Sequence, residues 1–65
     1  MGLETVWEEE LGEGYVYLPN HPGAGTTGCV ARSLDVFAFD ARLHGYQIIL
    51  DIDDQDRIIG IEIVK

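Results

Sequence analysis

A single cysteine, Cys29, excludes an intrachain disulfide and any zinc site built from cysteines. Basic residues are also scarce. Four Lys and Arg stand against twelve Asp and Glu, a formal charge of −8 at pH 7. Such a balance opposes contact with nucleic-acid phosphates and anionic lipid, keeps a small domain soluble and steers basic proteins towards it. Apolar runs such as Ile48-Ile49-Leu50 fall far short of the ~20 residues that span a membrane as a helix. The first residues, Met1-Gly2-Leu3-Glu4, lack the basic and apolar regions of a secretory signal, and Val6 stands where a myristoylation pattern requires Ser or Thr. A cytoplasmic protein with no nucleic-acid or membrane partner is therefore expected.

Sixty-five residues allow one domain, residues 1–65, which buries only about 60% of the surface its unfolded chain exposes. Chains this short usually add disulfides, a metal, oligomerisation or dense packing. Disulfides are excluded and no metal or cofactor set is visible, so packing and oligomerisation remain, a homodimer being the simplest form. With 46% apolar residues the composition is globular, above the range of disordered chains.

Glu4 to Glu10 alternates loosely around Val6 and reads as an edge strand or a frayed helical turn. Gly12 and Gly14 then mark a turn. Tyr15-Val16-Tyr17-Leu18 is a strand with its tyrosines on one face and Val16 and Leu18 on the other, stopped by Pro19. Pro19 to Gly28, with two prolines and three glycines, is a loop. Cys29 to Leu34 and Val36 to Phe39 predict one long strand or two with a bend at Asp35. Asp40 to Gly45 predicts a short helical turn, capped by Asp40 and ended by Gly45.

The clearest segment is C-terminal. Residues 46–52 and 57–64 flank Asp53-Asp54-Gln55-Asp56 as a β-hairpin. Alternation sets Ile48, Leu50 and Ile52 on one face of the first strand and Ile59, Ile61 and Ile63 on one face of the second, six side chains expected at the middle of the core. Asp51 and Glu62 are expected to point to water. The fold class is all-β, with α+β in reserve: a small antiparallel meander of four or five strands with one short helical turn.

The run from Ile48 to Ile63, an apolar strand, an Asp-rich turn, Arg57 and then Ile58-Ile59-Gly60-Ile61-Glu62-Ile63, resembles the C-terminal signature of the domain of unknown function 2283 family, small bacterial proteins. Asp56 takes the place where that pattern usually has Gly. Gly14 to Leu18 is similar to the family's first strand and Val30 to Val36 to its second. Residues 1–13, the length of the Pro-Gly loop and Phe37 to His44 depart from the pattern. The resemblance implies a fold and a host class, and similar proteins look like candidates for the antitoxin half of small bacterial toxin pairs.

Candidate chemistry is thin. Asp51, Asp53, Gln55, Arg57, Ile59 and Glu62 fall at the spacings of a calcium-binding EF-hand loop, but Asp56 replaces its glycine and strands replace its helices, so an ordinary acidic turn is the better reading and weak cation binding the alternative. His21 and His44 read as surface residues. Cys29 reads as a buried thiol, and Gly23 to Gly28 as a flexible loop without the lysine or helix of a phosphate cradle. What remains is surface. Trp7, Glu8, Glu9, Glu10, Tyr15, Tyr17, Asp53, Asp54 and Asp56 form the candidate partner-binding set, aromatic and acidic, with the tyrosines expected to be exposed. The expectation is a non-catalytic protein-interaction module for a basic partner, antitoxin-like or an inhibitor. The alternative is a self-assembling structural protein that pairs through a free strand edge.

Overall fold

A computed structural model describes residues 3–65 and holds five strands: β1 Glu4–Glu8, β2 Glu13–Tyr17, β3 Arg32–Asp35, β4 Gln47–Ile52 and β5 Ile58–Val64. All lie in one antiparallel sheet, as the alternation predicts, in the order β1-β2-β5-β4-β3. The strands β3, β4 and β5 follow one another as neighbours, and β5 then lies beside β2. The connection from β2 to β3 therefore crosses the sheet end. It is the Pro-Gly loop, closed onto its neighbours by hydrogen bonds from Leu18 N to Ile59 O (3.0 Å) and from Ala31 N to Ile52 O (2.8 Å). Glu4–Glu8, open to two readings above, is an edge strand.

The helical turn sits at Val36–Ala38, not at residues 40–45. Two expectations change together here. Val36 to Phe39 does not extend the strand, because the Asp35 carboxylate accepts a hydrogen bond from Phe37 N (2.9 Å) and tips the chain into a 3-10 turn. Asp40 instead holds Arg42, through its backbone N–H and its guanidinium, in a non-helical turn.

Register assigns the two faces. Opposite residues share a face, so Thr5 and Val16, Trp7 and Gly14, Val16 and Ile61, Ile63 and Ile48, and Leu50 and Leu34 line one side. It is almost wholly apolar. The other side carries Glu4, Glu8, Glu13, Tyr15, Tyr17, Glu62, Asp51, Ser33 and Asp35 by the same rule.

The expected core of six is only partly realised. A register shift between Asp51 and Ile52 pairs Ile52 with Ile58 and leaves Ile59 as the extra residue of a bulge, so Ile59 leaves the row of Ile61 and Ile63. Ile59 is fully enclosed and Ile52 is buried, whereas Ile48, Leu50, Ile61 and Ile63 are covered only in part. The cause is the layer count. Apart from the 3-10 turn against β4, the extensive contacts between elements are all between sheet neighbours, so among the described residues no second layer of helix or strand closes the apolar face. The molecule exposes 4826 Å², where a monomer of its mass is expected to expose about 4,100 Å². Its radius of gyration, 12.3 Å, likewise exceeds the roughly 10.7 Å of a compact domain this long.

Candidate functional site

Gly60 is the residue from which the polar face is organised. It sits in the central strand between Tyr17 and Asp51, and a Cβ there would overlap the phenol ring and hydroxyl of Tyr15. Without that Cβ, Tyr15 crosses β5 and its hydroxyl donates to Asp51 Oδ2 at 2.8 Å. Ser33 donates from the far side to Asp51 Oδ1 at 2.9 Å. Asp51 thus ties β2, β4 and β3 together across β5. The expectation that it points to water is overturned: it is 4% exposed. Alternation chose its face correctly, but that face is covered, because the Tyr15 ring and the Pro-Gly loop lie over it.

Glu62 stands on the same face and is half-buried. Burial above all, then the hydrogen bond and the charge of Asp51, hold its carboxyl above the ordinary carboxylate range. Burial and then the bond to Asp51 raise the Tyr15 phenol well above its ordinary value of 10.0. Both hydroxyls direct their protons to one carboxylate, which makes the group a clasp between strands.

The loop completes the cover. His21 stands edge-on to Tyr17 and Tyr15, with ring centroids 4.7 and 5.9 Å away. The tyrosines are therefore partly buried, not the free surface expected of them. His21 Nδ1 accepts the Gly23 N–H (2.9 Å), which puts the ring proton on Nε2, 3.9 Å from Cys29 Sγ. In that tautomer the imidazole donates towards sulfur. Taking the thiol proton would require giving up the Gly23 bond, so the pair is set for packing, not for thiol activation. Cys29, with Pro22, Asp53, Arg57 and Ile59, lines a cavity of about 250 Å³ beneath the loop.

The hairpin turn is self-contained. Asp53 accepts from Gln55 N and Arg57 N, each at 2.9 Å, and from Arg57 Nε at 2.8 Å. Those bonds, led by the Arg57 N–H, hold its carboxyl below the ordinary range. Asp56 has φ +61°, the left-handed conformation that suits glycine.

The candidate partner-binding residues fall in four places, Tyr15 and Tyr17 being on the polar face under His21. Trp7 lies on the apolar face, over Gly14 and 6.1 Å from the ring of Tyr46. Glu8 ends β1, and Glu9 and Glu10 form the turn into β2. Asp53, Asp54 and Asp56 lie at the opposite end of the sheet, and Asp53 and Asp56 are held by Arg57 and Arg32.

One feature brings several acids together. Glu8 and Glu13 face each other directly across β1 and β2. With Glu62 they rim a shallow depression of about 260 Å³ floored by Val6, Tyr15 and Val64. Like charges so placed repel. Among the described residues no ion pair relieves them: Arg32 is paired with Asp56, Arg42 with Asp40 and Arg57 with Asp53, at 2.8–3.0 Å, and Lys65, which packs against Gly12 beside Glu13, makes no ion pair with either glutamate. Among the described residues, no helix is long and apolar enough to cross a membrane. No family model matches the chain, and no curated protein or solved structure matches it.

Proposed function

We propose that this chain is a non-catalytic protein-interaction module whose partner is a basic protein, in the manner of an antitoxin or an inhibitor. The observation that carries the reading is the rim of Glu8, Glu13 and Glu62 around an apolar floor, none of the three glutamates being held in an ion pair among the described residues. A lysine or arginine side chain laid along Val6 and Val64 would place its alkyl stem on the floor and its charge among the glutamates. Binding would also relieve the repulsion between Glu8 and Glu13. Kinship with the domain of unknown function 2283 family and a cytoplasmic location belong to the same proposal, the latter supported by an unpaired thiol that suits a reducing compartment.

Affinity capture from host lysate at low and high salt tests this reading, with a Glu8→Lys/Glu13→Lys variant in parallel. One basic protein should be held at low salt, released as the Debye length falls from ~10 Å at 0.1 M to ~3 Å at 1 M, and lost with the variant. Retention indifferent to both salt and variant, or no specific protein at all, overturns the proposal.

A further inference from the structure

The opposite face poses a separate problem. Val16, Leu34, Ile48, Leu50, Ile61 and Ile63 share one side of the sheet and are covered only in part, with no second layer of helix or strand over them among the described residues. A single sheet with an open apolar face is not a stable end point in water, and two sheets packed face to face are the common remedy. We infer that a second copy of this chain covers the face, forming a sandwich homodimer in which the two apolar sheets stack and the acidic faces point outwards.

Two observations select a second copy. The whole molecule exposes 4826 Å², roughly 700 Å² more than the about 4,100 Å² expected of a monomer of its mass, an amount of uncovered surface on the scale of the ~800 Å² each partner contributes to a standard stable interface, and the half-exposed Trp7 and Tyr46 place part of it on this face. Charge selects the same face. Two chains of −8 repel unless they meet where carboxylates are absent. By register, the apolar side holds no acid along its strands, and its one charged side chain, Arg32, is occupied by Asp56. The other side carries Glu4, Glu8, Glu13, Glu62, Asp51 and Asp35.

The β1 edge is the poorer route to a dimer. Antiparallel self-pairing of β1 centred on Val6 would set Glu4 of each copy against Glu8 of the other, two like-charge contacts of the kind that protect edges from pairing. Trp7 and Tyr46, about half exposed on the apolar side, would instead extend the stacked surface.

Sedimentation equilibrium of the purified chain, followed by solvent paramagnetic relaxation of its methyl groups, tests the inference without any partner, so its failure is separable from that of the basic-partner reading. The expected species has twice the 7.2 kDa chain mass and persists at 1 M salt. In it the Leu50, Ile61 and Ile63 methyls are shielded and become exposed on dilution, while those of Val6 are relaxed throughout. Leu50→Glu should weaken the dimer by about a hundredfold or more, since it buries an unpaired carboxylate. Should that variant fail to fold, the methyl measurement on the unaltered chain decides. A monomer at all concentrations up to about 1 mM, or a dimer whose Leu50 and Ile61 methyls stay as exposed as those of Val6, would overturn the inference.

Discussion

Replacing Gly60 with alanine isolates the clasp described above. The added methyl would occupy the space of the Tyr15 ring, whose Cε2 lies 2.8 Å from the Cβ position and whose hydroxyl lies closer still. The strand cannot give way easily, since β5 is hydrogen-bonded on both sides. Tyr15 must therefore swing off, and Asp51 loses one of its two hydroxyl donors. Overpacking costs ~1–3 kcal/mol, and leaving a buried acceptor short of a partner costs a further ~1–3 kcal/mol. Against this, alanine in a strand gains ~0.5–1 kcal/mol over glycine. The net loss is ~2–4 kcal/mol, a large share of the roughly 3–10 kcal/mol that a chain of this length possesses. Urea unfolding followed by far-UV circular dichroism, at one fixed protein concentration, measures it. The control is a cycle in which Gly60→Ala is repeated in a Tyr15→Ala background, where the methyl meets no ring and should be neutral or mildly stabilising. The coupling should thus be about 2 kcal/mol or more. Equal effects of Gly60→Ala in both backgrounds would refute the reasoning.

Other expectations follow from the same face and from the hairpin turn. Glu62 holds its proton more tightly folded than unfolded, so its contribution is fully present below its ordinary 4.5 and is lost as pH rises through the raised value. Glu62→Gln removes this loss, and its stability relative to the parent chain, read from melting curves, should grow with pH above 4.5 and then level off. The Tyr15 phenol, raised above 10.0, contributes stability that is present below pH 10 and lost as pH climbs towards the folded value. In an ultraviolet titration one tyrosine should therefore ionise last, together with unfolding, and Tyr15→Phe should abolish that step. Asp56→Gly relieves a left-handed residue at ~1 kcal/mol but forfeits an exposed ion pair with Arg32 worth ~0–1 kcal/mol. Urea midpoints should show no loss and a gain of up to ~1 kcal/mol.

The C-terminal hairpin was legible because two β-branched, isoleucine-rich runs, one row of each recurring at every second residue, are interrupted once by an Asp-rich turn. The tyrosine strand was legible from the same recurrence. Alternation assigns a side but says nothing of what covers it. Asp51 and Glu62 were placed on the correct face and given the wrong environment, since a loop of prolines and glycines carries no period to show that His21 will stack on Tyr17. Gly60 was the available signal, a glycine inside an isoleucine-rich strand, which marks close approach of another group. The helical turn moved because two aspartates, Asp35 and Asp40, offer the same capping chemistry, and only tertiary placement decides which one caps. The bulge at Ile59 has no signature in a run of isoleucines that reads equally well in either register. The partner set was gathered by residue type, and the fold distributes it over two ends and two faces of the sheet.

The strand order carries a consequence for how the chain comes into being. The central strand, β5, follows its two neighbours in sequence, so during synthesis the β1–β2 and β3–β4 pairs emerge before the strand that joins them. Until then the inner edges of β2 and β4 are open, and the isoleucines of β4 have no partner row. A folding intermediate in which β5 has not yet inserted would thus be adhesive along the edges that the finished molecule hides. The carboxylates of Glu4, Glu8 and Glu13 are already present on the nascent hairpin, where their mutual repulsion keeps neighbouring chains apart until the last strand inserts.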